Sequence, residues 1–383
     1  MALETLHNDV AASPTQIREH LKNAFPPPLD QECHCHVSER VSESVTAWER
    51  YVKMAQRDGV FETLRSIFPQ LHFPIEKNIS QTPPYRAVTL KGLKVPGPYE
   101  KGILEPTDRN SMELLIHDSI AGQIPVLKVG NETDFKTFIR CFSYRNEPVL
   151  IPNSMGAALI KGINNWDRIK RYRETWMVQN KGGDWKGEFL KNVLPNRHLY
   201  QDQLIILSQK PYSGVPAKHL GLGEKEWLEK STTIRLQHEV AHLFTLRHYG
   251  HMKINVHDEL IADYLGITSV LGKFDPKWFL FFMGLENHPH YRNGGRLENY
   301  LGKLDPLPKK DFLKIMSVIV KASENVENWD TALGSPINKL ETRARIKTLC
   351  SIGIDQMALP HGHQLLLSKF NEIMEAKTQC GCS

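Results

Sequence analysis

Apolar residues recur at helical spacing between positions 41 and 68. Val45, Trp48, Tyr51 and Val52 are followed by Phe61, Leu64 and Ile67, so two short helices are expected there. The stretch 82–110 breaks that rhythm with Pro83-Pro84 and Pro96-Gly97-Pro98 and reads as loop. A mixed pattern follows, with strands expected at 124–129 and 148–151 and helices at 134–142 and 166–176. The strongest strand signal is the aliphatic run at 203–208, closed by the turn residues Pro211, Ser213 and Gly214. From Ser231 onward nearly every periodic segment is helical. Two or three helices are expected between 311 and 382, with Arg343, Arg345 and Lys347 on solvated faces.

This order predicts an α+β protein, with a mixed β-sheet preceding a buried helix and a mainly helical C-terminal half. The expected organisation is a flexible arm over 1–30, a helical and loop region over 31–110, a mixed α/β region over 111–215 and a helical region over 216–383. The arm ends in the stiff extended Phe25-Pro26-Pro27-Pro28. No repeat of fixed period is visible.

Composition narrows the class. The chain has 383 residues, 40% hydrophobic and 24% charged, which allows a large core and describes an ordinary globular protein. Its longest apolar patch, Trp278-Phe279-Leu280-Phe281-Phe282-Met283, falls far short of the roughly 20 residues that span a bilayer, so it reads as core and no membrane partner is expected. The first residues lack the basic start and apolar stretch of a secretory signal, which leads to the expectation of a cytoplasmic protein. The net charge of +5 is spread among acids, so nucleic acid is not expected as a partner. Two Cys-x-Cys pairs, Cys33/Cys35 and Cys380/Cys382, stand near the termini, with Cys141 and Cys350 alone between them. In a reducing compartment such pairs are thiols or metal ligands rather than disulfides.

The chemistry is concentrated after Ser231-Thr232-Thr233, which offers N-cap side chains. Ile234, Leu236, Val240, Ala241, Leu243, Phe244 and Leu246 cover most of the circumference of the helix that follows, so it is expected to be buried. Within it stands His238-Glu239-Val240-Ala241-His242. Residues four apart share a helix face with Cβ atoms about 5–6 Å apart, so the two imidazoles can grip one ion. Zinc takes His nitrogens and, in catalytic sites, keeps a position for water, whose proton Glu239 is placed to accept. Burying two His and a Glu without partners costs roughly 1–3 kcal/mol each, and a metal would compensate all three.

The next helix strengthens the reading. Gly250 ends the first helix, and Asn255 can cap a second running through Glu259-Leu260-Ile261-Ala262-Asp263. A short loop makes the two helices pack antiparallel, with small Ala262 allowing close approach. Glu259 can then return to the level of His238 and His242 as a third ligand, and Asp263 can hydrogen-bond the outer nitrogen of a liganding His.

His238-Glu239-Val240-Ala241-His242, followed seventeen residues after His242 by Glu259 and then Ala262-Asp263, resembles the gluzincin arrangement of HExxH plus ExxAD, shared by thermolysin-like and many other zinc peptidases. The resemblance covers about thirty residues. It implies Zn2+ held by His238, His242 and Glu259, with Glu239 as base and Asp263 behind a ligand. It also implies a zincin-like fold, in which a strand ahead of the active-site helix lines the cleft edge and pairs with extended peptide, the place that 203–208 would take. The expected function is a metallopeptidase that cleaves a peptide or protein substrate by Glu-assisted attack of zinc-bound water. Two other outcomes use the same residues: a zinc amide hydrolase acting on a small or modified peptide, and a non-catalytic binding or regulatory protein.

Such a site also needs an electrophile for the oxyanion. The candidates lie in His288-Pro289-His290-Tyr291-Arg292-Asn293-Gly294-Gly295-Arg296, where His290, Tyr291, Arg292 and Arg296 carry the chemistry and the glycine pair allows a bend toward a site. Cys33-His34-Cys35-His36 and Cys380-Gly381-Cys382 could form a second metal site if the termini meet.

Overall fold

A computed structural model describes residues 24–26, 36–253, 255–300 and 309–379. Both Cys-x-Cys pairs and nearly all of the 1–30 arm lie outside the described residues. Among the described residues the protein is α+β, mainly helical with one four-stranded mixed sheet, and no helix is long and apolar enough to cross a membrane. The chain forms two compact units. One spans 34–209, and the other joins 210–383 to the residues before 34.

In the first unit, helix α1 (His36–Asp58) and helix α2 (Val60–Ile67) occupy the stretch where two helices are expected, separated at Gly59. Helix α3 (Pro83–Lys91) forms inside the stretch read as loop. Its prolines fall in the first turn, where a missing N–H costs nothing. Strands β1 (Met112–Ser119) and β2 (Gly122–Val129) make a tight hairpin in which Ser119 Oγ donates to Gly122 O at 2.6 Å and accepts from Ala121 N at 3.1 Å. Helix α4 (Glu132–Ser143) follows, capped by Asn131, then strand β3 (Ala157–Asn164), helix α5 (Trp166–Gln179) and strand β4 (Gln201–Ser208). The strand expected at 148–151 does not form. Leu150 is 87% exposed there, and Pro148 lacks a ladder donor.

The sheet order is β1-β2-β4-β3, with β4 parallel to β2 and antiparallel to β3. This corrects the cleft-edge role given to 203–208, since β4 is hydrogen-bonded on both sides and has no free edge to offer a peptide. The run Leu204-Ile205-Ile206-Leu207 is apolar on both faces and buried throughout, the pattern of an inner strand. Leu204 and Ile206 share a core with Trp48 and Tyr51 of α1, Phe61 and Leu64 of α2, and Phe135 and Phe138 of α4. Residues between Ala47 and Ile206 therefore share one core. Buried Asp202 fastens it, accepting from Trp48 Nε1 (2.9 Å), Asn165 Nδ2 (2.6 Å), Ser44 Oγ (3.1 Å) and Arg168 Nη1 (2.5 Å).

The second unit consists of helices α6 (Glu224–Tyr249), α7 (Val256–Leu271), α8 (Pro276–Met283), α9 (Lys309–Leu333), α10 (Lys339–Ser351) and α11 (Gly362–Gln379). Of the 1–30 arm, Phe25 belongs to this unit. It is buried, its N–H donates to Cys350 O at 2.8 Å, and its ring lies 5.1 Å from that of Tyr249.

Arg345 is not on a solvated face. It is fully buried and donates to Asp330 Oδ1 (2.9 Å), Gly334 O (2.6 Å) and Glu341 Oε1 (2.6 Å), while Asp330 also accepts from Tyr264 OH (2.5 Å) and Phe274 N (2.7 Å). One carboxylate thus ties α7, α9 and α10. Arg345→Met leaves Asp330 charged and buried without its cation, so a loss of about 3–5 kcal/mol in denaturant unfolding is expected. A loss under about 1 kcal/mol would mean that the pair does not anchor these helices.

Candidate metal centre

Helix α6 opens at Glu224, earlier than the Ser231 cap expected from the sequence. Glu224 and Glu226 suit the positive end of a helix, and the residues that follow are good helix formers. Ser231 is therefore interior, where its Oγ accepts from Tyr212 N at 3.0 Å. Thr232 and Thr233 bond back to the carbonyls of Leu228 and Glu229. The far boundary agrees with expectation. Gly250 ends α6 in the left-handed conformation, and Asn255 Oδ1 caps α7 by accepting from Asp258 N at 2.9 Å.

The two helices run antiparallel, with Gly266 opposite Ile234, Asp263 opposite His238, and Asp258 and Glu259 opposite His242. A Cβ on Gly266 would fall 3.0 Å from Ile234 O and 2.9 Å from its Cγ2, so any larger residue would make the two helices give way at this point. Close contact there sets the level at which Glu259 meets the imidazoles.

Both Nε2 atoms point inward, 3.1 Å apart. Glu259 Oε2 lies 3.5 Å from His238 Nε2, and Oε1 lies 3.7 Å from His242 Nε2. All three side chains are buried, and among the described residues they are the one group of such donors close enough to share an ion. Bonds of about 2.0–2.1 Å at a tetrahedral centre put neighbouring donors roughly 3.3 Å apart, so the triangle matches one face of a zinc tetrahedron.

The outer nitrogens face carboxylates. His238 Nδ1 is 3.0 Å from Asp263 Oδ1, and His242 Nδ1 is 3.1 Å from Asp258 Oδ2. Rings that carry their hydrogens on Nδ1, toward these carboxylates, would present two Nε2 lone pairs beside Glu259 in a buried space, a donor set that fits a divalent cation once it displaces the inner protons. The charge balance points the same way. Burial pulls the His242 imidazole down, yet Asp258, Glu259 and Glu239 together raise its pKa to about 10. Glu239 follows His238 on α6 and is itself 8% exposed.

Arg296 reaches this cluster. Its Nη2 donates to Asp263 Oδ2 (2.6 Å) and Glu259 Oε2 (3.2 Å), and its Nη1 donates to Tyr212 OH (2.5 Å) and Ser213 Oγ (3.2 Å). Burial would raise the Asp263 carboxyl, but Arg296 and then His238 hold it below its ordinary value. Tyr291 and Arg292 do not join the cluster, which corrects their assignment as electrophiles. Tyr291 OH donates to Gly295 O at 2.6 Å, while Arg292 is spent on Glu286 (2.5 Å) and Phe281 O (2.6 Å). His290 is exposed. The bend at the glycine pair has a different purpose from the one expected. A Cβ on Gly295 would lie 2.5 Å from Met283 O and 2.7 Å from Gly284 Cα, so the segment docks on the end of α8 and delivers Arg296.

Three participants were not singled out from the sequence. Tyr212 follows β4 in a loop marked only by turn residues. Its OH donates to Asp263 Oδ1 at 2.6 Å and lies 2.9 Å from His238 Nδ1. Asp258 reads as an ordinary first-turn acid. Tyr300 is close enough to Arg296 and Glu259 to feel both charges, and burial raises its phenol. Its position four residues after Arg296 is the signal that would have found it. Buried Cys141 and Cys350 are free thiols.

No curated protein and no solved structure matches the chain. A family model does match, over residues 5–361, and the chain belongs to that family of unknown function (DUF7005).

Proposed function

We propose that this protein is a zinc-dependent hydrolase of the gluzincin type, with a zincin-like metal-binding unit, acting as a metallopeptidase on a peptide or protein substrate. The observation that carries the reading is the convergence of His238 Nε2, His242 Nε2 and Glu259 at 3.1–3.7 Å in a buried space, with a carboxylate behind each imidazole. Two nitrogens and one oxygen at these separations suit zinc better than calcium or magnesium, which prefer all-oxygen shells. When bound, zinc supplies Lewis acidity, lowering the pKa of water and polarising a carbonyl oxygen.

The chain's own groups have distinct tasks. Asp263 and Asp258 fix both imidazoles in the tautomer that presents Nε2 inward. Glu239 accepts a proton from water at its carboxylate and returns it to the departing amine, so one group acts as base and then as acid. A second substrate class within the same chemistry, a small or modified peptide amide, would use the same residues.

Elemental analysis of the full-length protein, together with a peptide-library digest read by mass spectrometry, tests the reading. The expected result is one zinc per chain and cleavage that a chelator stops and added zinc restores. Stoichiometric zinc with only small amides cleaved would select the second substrate class. Zinc without turnover of any amide would leave a binding protein, and a chain that takes up no zinc would end the hydrolase reading.

A further inference from the structure

The Nη groups of Arg296 are fully committed. Each has two N–H bonds and two acceptors: Asp263 Oδ2 and Glu259 Oε2 on one side, Tyr212 OH and Ser213 Oγ on the other. Only Nε is left without a partner among the described residues, and it is buried. An arginine in this state has no free fork to turn toward a substrate oxygen. Its partners, however, lead to two of the three converging donors. Glu259 is touched directly, and His238 is reached through Asp263, whose Oδ1 accepts from Tyr212 OH and faces His238 Nδ1. The Tyr212 ring is enclosed by Arg296 at 5.2 Å, Arg235 at 5.6 Å and an edge-on Phe282 at 4.7 Å, so its hydroxyl has little freedom. Arg235 in turn bonds the backbone of Lys210 and Pro211, which holds the Tyr212 loop.

From this network we infer that Arg296, with Tyr212, is a positioning residue for the metal ligands. Its Nη2 arm ties Glu259 to Asp263 while its Nη1 arm holds Tyr212 and Ser213, so the guanidinium fork fixes the carboxylates and the Tyr212 loop at once, replacing the electrophile role suggested by its place in the sequence. A lysine would keep the charge but not the fork. The inference goes beyond the proposed reaction and rests on the reading of the triad as a zinc site.

Zinc competition against a chromophoric chelator, on the full chain and well below its melting temperature, tests it. Loss of an outer partner commonly weakens a metal site by about 10–100-fold, and a loss of that size is expected for Arg296→Gln. Arg296→Lys should recover only part of it. Tyr212→Phe keeps the ring packing, removes the hydroxyl and should weaken zinc as well, which serves if Arg296→Gln fails to fold. Stoichiometric zinc in the wild type with unchanged affinity in Arg296→Gln or Tyr212→Phe overturns the inference alone, even if melting temperatures fall. Arg296→Lys binding like the wild type overturns the fork argument. A wild type without zinc overturns the metal reading and this inference with it.

Discussion

The Glu239→Gln protein is expected to keep its zinc and to lose about 10²–10⁴-fold in turnover of whatever amide the wild type cleaves. Glutamine matches glutamate in shape and hydrogen-bonding reach, so the helix and its neighbouring imidazoles are undisturbed. What disappears is the ability to accept a proton. Glu239 stands one residue from His238 on α6, and its charge contributes to raising the His242 pKa, so it is electrostatically part of the cluster without being one of the three converging donors. Retained zinc therefore separates the base from the ligands. Turnover at the wild-type rate would remove Glu239 from the mechanism. Loss of zinc would make it a ligand or a structural support instead.

Glu259→Ala should lower zinc content from one per chain to a small fraction of that. The variant keeps the imidazole pair but opens the triangle, since no other donor group lies close enough to replace the carboxylate among the described residues. A second readout follows from linkage. An ion that binds only the folded state stabilises it by about 4 kcal/mol when present at a thousand times its dissociation constant. A chelator should thus lower the wild-type melting temperature and leave that of Glu259→Ala almost unmoved. Unchanged zinc stoichiometry in the variant would exclude Glu259 as a ligand. A chelator response equal to that of the wild type would place any stabilising ion elsewhere in the chain.

The two predictions draw on information of different origin. His238, Glu239, His242, Glu259 and Asp263 were legible along the chain because a helix repeats its faces at fixed spacing, so residues three or four apart must be neighbours whatever else the fold does. Gly250 and Asn255 could be read for a similar reason, as their backbone and capping preferences act over three or four residues. The start of α6 was misplaced because Ser231 and Thr232 are good caps in principle, while the glutamates further upstream made a better helix start.

Local rules did not extend to the loops. Tyr291, Arg292 and Arg296 are within five residues of one another and chemically equivalent as candidates, yet only Arg296 meets the cluster. The choice depends on Gly295 docking against Gly284 at the end of α8, a contact that no spacing encodes. Arg345 was misread as solvated for the same kind of reason. Its charge predicted exposure, whereas Asp330 on another helix made burial acceptable. In β4 the apolar run revealed a strand, but whether that strand lies inside the sheet or at its edge depends on where β2 and β3 come to rest.

By itself the sequence determined that two adjacent helices carry two imidazoles and two carboxylates on faces able to meet, because helical periodicity and a short connection act within thirty residues. The tertiary structure alone decided which distant groups, Tyr212 and Arg296 above all, close around them. Those contacts join residues 26 to 84 positions apart, and only the packing of the whole unit brings them within hydrogen-bond reach.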